Sequence, residues 1–277
     1  PRGHPPPPGR GLGERRGVTL SARDRRDLER ARRLLEDPSF AARLVSVVGS
    51  PIETGLARLP QPVALRVQDA TRRALRSALE VAVRGIDRDP ARGPANLFHR
   101  AATGISGAAG GAMGWTALPV ELPITTTLML RTIADIARSQ GEDLDEVETR
   151  LACLSVFALG GRSEADDGTE TGYFAVRAVL ARQVAEAARV VAARGLAETE
   201  APAIVRLLAS IAARFGVVVS EKAAAQLVPV VGAIGGATVN VVFTEHFQKI
   251  ATGHFTVRRL ERTHGPELVR RTYDEFA

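Results

Sequence analysis

The sequence holds a single cysteine, a single tryptophan and only two lysines in 277 residues. Each scarcity narrows the function. The lone Cys153, inside the apolar run "LACLSVFAL", leaves no internal disulfide and no cysteine-based metal site, which fits a reducing compartment. Aromatic residues make up 4% of the chain, too few to build the stacking platforms of single-strand binders. The net charge of +6 is local, because residues 1–33 carry ten arginines against four acids while the rest of the chain is neutral. No nucleic-acid partner is expected from such a distribution. The stretch "PRGHPPPPGRGLGERRG" has no apolar segment of signal-peptide type, so the expected location is cytoplasmic.

Catalytic signatures are missing as well. The chain contains no GxSxG, no GxxxxGK[ST], no GxGxxG and no HExxH, and His4, His99, His246, His254 and His264 fall at no metal-ligand spacing. No cofactor is expected. His254 lies on the apolar stripe Phe243, Phe247, Ile250 and Val257, where a satisfied core histidine is the ordinary case.

No segment keeps a strand-length alternation of apolar and polar residues, whereas helical spacing recurs throughout. The pattern predicts an all-α fold, an irregular multi-helix bundle with Gly-rich, closely packed helical hairpins. One domain over 20–277 follows a disordered Pro/Gly/Arg-rich tail at 1–19. Ser21, with Asp24 three residues on, starts the first helix. Val63, Val67, Ala70, Ala74, Ala78 and Val81 form one face of the next. Further helices are expected at 95–113, 122–139, 144–159, 172–194, 201–215, 217–228, 233–261 and 266–276. The valines of "GVVVSEK" leave a short strand as an alternative there.

Two long uncharged runs, 101–120 and 223–244, reach bilayer-spanning length. Gly107 with Gly111, Gly110 with Gly114, and Gly232 with Gly236 stand four apart, a spacing that lets two helix backbones approach closely in a membrane or in a crowded core. These glycines, with Trp115, are the candidate membrane or ligand contacts. Lys249, Arg258 and Arg259 on the long C-terminal helix join them as a basic end suited to anionic headgroups, or else as an ordinary helix C-terminus.

Glu121, between Pro119 and Pro123, reads as a helix-start charge favoured by the dipole, with general-acid chemistry as the sharper alternative. Arg131 is its candidate catalytic companion, and Arg131 with Asp135 also has the spacing of an ion pair. The acidic loop containing Glu164, Asp166, Asp167 and Glu170 is a weak hard-cation candidate that lacks the regular ligand positions of a calcium loop. Tyr173 and Arg177 are placed to dock the following helix on the core.

Three separated motifs occur in order: "GAAGGAMGWTALPVELPITTTLMLRTIADIARSQGED", "GYFAVRAVLAR" and "KAAAQLVPVVGAIGGATVNVVFTEHFQKIATGHFTVRRLERTHG". With the earlier "GSPIETGLARLPQPV", they resemble the EcsC protein family over about Leu28 to Gly265. That resemblance implies a mostly bacterial family, named for a protein encoded beside the components of an ABC transporter, with no assigned activity or catalytic residue. The functional expectation is a non-enzymatic, membrane-associated accessory protein, its partner an anionic membrane surface or a transporter. The alternatives are a soluble helical binder of a lipid or other apolar ligand, and a hydrolase centred on Glu121.

Overall fold

A computed structural model describes residues 19–36, 40–48, 60–86, 117–161, 172–195, 201–227 and 232–276. Among these residues there are nine helices and no strand. They are α1 (Ala22–Glu36), α2 (Phe40–Val48), α3 (Gln61–Arg84), α4 (Leu118–Ser139), α5 (Val147–Leu159), α6 (Gly172–Arg194), α7 (Pro202–Gln226), α8 (Gly232–His264) and α9 (Pro266–Asp274). The all-α expectation holds. The tail at 1–18, the helix expected at 95–113, and the acidic loop with Glu164, Asp166, Asp167 and Glu170 lie outside the described residues.

Local chemistry explains most boundaries. The Ser21 hydroxyl accepts the Asp24 amide at 3.1 Å and donates to the Asp24 carboxylate at 2.7 Å, which caps α1. α3 starts just after Pro60 with a proline in its first turn, and it buries Val63, Val67, Ala70, Ala74 and Ala78 as the sequence stripe requires.

Three elements differ from the sequence reading. α4 begins at Leu118, four residues early, because Pro119 sits where its missing amide costs no hydrogen bond and Pro123 is accommodated one turn later. α2 was not foreseen, since nine residues give too short a period to stand out. The segments expected at 201–215 and 217–228 are one continuous helix, α7: Gly216 does not break it, and the valines after Gly216 are helical.

The 33-residue α8 runs against α1, α2, α4, α5, α7 and α9 and organises the core. The few aromatics concentrate there. Phe157 of α5, Phe215 of α7 and Phe247 of α8 pack edge-on or tilted with ring centroids 5.0–5.5 Å apart, and Phe243 and Phe40 extend the cluster. A smaller apolar cluster joins α1, α8 and α9 through Leu28, Val257, Leu260, Val269 and Tyr273. The C-terminal carbonyls of α5 are tied down from two sides: Arg214 Nε donates to Ala158 O at 2.8 Å, and His246 Nε2 lies 2.8 Å from Gly160 O.

Candidate functional site

Glu121 and Lys222 form the most heavily desolvated charged contact among the described residues. The early start of α4 turns Glu121 inward, and the Lys222 Nζ donates to Glu121 Oε1 at 2.6 Å with side-chain exposures of 0% and 5%. The same ammonium stands 4.6 Å from the centroid of Phe243. Glu121 is therefore both the first-turn charge of α4 that the sequence suggested and a member of an internal ion pair. Lys222 was not singled out from the sequence. A signal existed: Lys222 follows Phe215, Val218 and Val219 by seven, four and three residues, on a stripe that is wholly buried.

The second proposed catalytic residue is not brought to Glu121. Arg131 lies ten residues further along α4, about 15 Å at 1.5 Å per residue. Its Nε is buried without a hydrogen-bond partner among the described residues. The suggested Arg131–Asp135 pair is also corrected, because Asp135 accepts from Arg138 at 3.0 Å. The carboxyl that burial does push up is Glu221, to about 7. Among the described residues no group of His, Cys, Asp or Glu is clustered to hold a metal.

The basic end of α8 is committed internally. Arg258 makes a forked contact with the buried carboxylate of Glu142 at 2.8 and 2.7 Å, and Arg262 pairs with the same carboxylate. The two guanidiniums hold Glu142 below the usual carboxylate range against its desolvation. Arg259 bridges Gln140 at 3.0 Å and Asp27 at 2.7 Å. These arginines join α8 to the α4–α5 connection and to α1. Lys249 is half-buried on the same helix and has its own partner. The docking role expected of α6 holds: Tyr173 Oη lies 2.9 Å from His254 Nδ1, and Arg177 pairs with Glu261. His254, buried and bonded, is a satisfied core histidine with its pKa pulled down by desolvation.

Of the candidate membrane or ligand contacts, Gly107, Gly111, Gly114 and Trp115 lie outside the described residues. Gly232 and Gly236 fall in the first two turns of α8. The feature that the sequence did not single out is a groove of about 960 Å3 between α3 and α7. Val67, Leu75 and Leu79 of α3 face Leu208, Ala212 and Gly216 of α7 across it. Its lining takes in neither Glu121 nor Lys222.

Small side chains on α7 create this space. A Cβ added at Gly216 would meet nothing within 4 Å, so packing against the described residues does not demand a glycine there. α7 is also the one described helix long and apolar enough to cross a membrane, with a mean hydropathy of 1.8, yet only 39% of that apolar window is buried. Its exposed residues are Pro202, Val205, Arg206, Ala209 and Ala213, and three of them, Val205, Ala209 and Ala213, line the groove.

A family model described as the EcsC protein family matches residues 29–260. The chain belongs to the EcsC family. The match runs from within α1 to near the end of α8, so it takes in the buried Glu121–Lys222 pair and both walls of the groove. No curated protein and no solved structure matches the chain.

Proposed function

We propose that this EcsC-family protein is a non-enzymatic, membrane-associated accessory protein whose α3–α7 groove takes up the acyl chain of a lipid. The carrying observation is the pairing of a groove of about 960 Å3 with an apolar helix, long enough to cross a membrane, whose exposed residues Val205, Ala209 and Ala213 line it. The volume lies at the upper end of the roughly 300–1,000 Å3 of small-molecule sites. An aliphatic chain matches its lining, and removing that lining from water supplies the driving force. Association through the α7 face fits this reading better than association through Arg258 and Arg259, whose charges are already paired. The family's link to ABC-type transport makes a transporter-bearing membrane the place to look for it.

Substituting Gly216→Leu tests the reading. Leucine removes the roughly 1 kcal/mol helix penalty of glycine and projects into open space, so the variant is expected to melt at or above the parent temperature while closing the groove. The parent should bind a neutral apolar dye such as N-phenylnaphthylamine and release it to a monoacyl lipid. The variant should bind at least about tenfold more weakly, the effect of losing roughly 1.4 kcal/mol. Dye binding unaltered in a folded Gly216→Leu protein would count against the groove as the lipid seat.

A further inference from the structure

Resting on that acyl-chain reading, we infer that the groove selects lipids carrying an anionic phosphate head, and that Arg72 on the α3 rim is the residue that reads it. The polar groups of the groove belong to α3 and α7. Two hydroxyls line it, Thr71 and Ser220, and both donate to their own helix backbone, Thr71 to Val67 O and Ser220 to Gly216 O, each at 2.8 Å. Neither has its proton left for a ligand.

The remaining polar side chains of the lining, Gln68, Arg72, Arg76 and Glu80, all belong to α3 and follow one another at four-residue spacing. They form one rim above the apolar stripe Val67, Thr71, Leu75 and Leu79. The opposite wall on α7 contributes no charge to the lining. Glu80, the rim's single acid, stands 3.4 Å from Arg84, outside the lining. Arg73, on the neighbouring face, is paired with Asp69. Arg72 is exposed and has no ion pair or hydrogen bond among the described residues.

An amphiphile laid in this groove therefore meets hydrocarbon below and a guanidinium at one edge. The planar fork of arginine suits a phosphate, which accepts two parallel N–H bonds. The seventeen residues of α3 from Ala64 to Glu80 span about 24 Å at 1.5 Å per residue, with Arg72 at the midpoint. A phosphate held at Arg72 leaves about 12 Å of groove for the chain, most of the roughly 15 Å hydrocarbon depth of one leaflet, half of the bilayer core, and the occupant is a phosphate-bearing membrane lipid.

The experiment compares displacement of N-phenylnaphthylamine from the full chain by monoacylglycerol phosphate and by monoacylglycerol of the same chain length, with inorganic phosphate alone as a third competitor. The parent should prefer the phosphate lipid by roughly threefold to tenfold, the net contribution of an ordinary hydrogen bond, as suits an exposed guanidinium, and inorganic phosphate should displace nothing. Arg72→Gln should remove the preference, and Gly216→Leu should remove displacement by both lipids. Equal affinities in the parent, or a preference that survives Arg72→Gln, overturn the headgroup assignment and leave the groove reading standing. Displacement by neither lipid overturns both. Displacement by inorganic phosphate alone would reassign Arg72 to a free-anion contact and overturn the lipid head.

Discussion

Replacing Lys222 by methionine is expected to lower the stability of the protein by about 3–5 kcal/mol, the usual consequence of leaving one member of a buried ion pair without its partner. At roughly 2–4 °C per kcal/mol in a chain of this size, the melting temperature should fall by about 6–20 °C. Glu121 is enclosed with 5% of its side chain exposed, and Lys222 is fully enclosed, so neither charge can recover hydration when the other is removed. The double substitution Glu121→Met with Lys222→Met should restore most of the loss. Two apolar side chains of similar length can fill the space between α4, α7 and α8, and no charge then stays behind. Thermal melts of the two single variants and the double variant check this. A double variant as unstable as the sum of the singles would mean that the pair is not the unit holding α4 to α7.

The same small substitution at two glycines is expected to act with opposite sign. Gly161 follows α5 where the backbone of α7 crosses it, and a Cβ built there lands on the carbonyl oxygen of Arg214, well inside van der Waals contact. The neighbour is backbone and cannot rotate away. That backbone is also held by Arg214 Nε donating to Ala158 O, and the adjacent Gly160 carbonyl is held by His246. Gly161→Ala should therefore cost about 3 kcal/mol, at the upper end of ordinary overpacking penalties. Gly216→Ala should instead stabilise by about 1 kcal/mol, since that glycine sits inside a helix with nothing near its missing Cβ. Chemical denaturation of both variants measures the two signs together. A neutral Gly161→Ala would show that α5 and α7 approach less closely than described.

The legible part of this protein was its apolar periodicity. The α3 stripe, the exact limits of α6, the Ser21 cap and the core place of His254 all followed from spacing, because each depends on neighbours within one or two turns. The Glu121–Lys222 pair did not. Its members are 101 positions apart, and the prolines around Glu121 suggested that α4 begins after it. Two charges on otherwise buried stripes still carried a signal, since an enclosed ion must find a counter-ion. Along their own helix Arg258 and Arg259 resemble headgroup ligands, but their partners Glu142 and Asp27 come from elsewhere in the chain. The groove was invisible for a related reason: it is the space between α3 and α7, and a sequence records side chains, not gaps.

The central claim, that lipid acyl chains enter between α3 and α7, is tested most directly by a fluorescent bimane label on a cysteine introduced at Ala213, an exposed residue of the groove wall. The native Cys153 does not compete for the label, being fully buried with its thiol pushed up to about 12 by desolvation. Vesicles carrying a nitroxide on the lipid acyl chain should blue-shift and quench the label at Ala213, and leave the same label at exposed Glu267 of α9 unchanged. No quenching at Ala213, or equal quenching at both positions, would contradict the account.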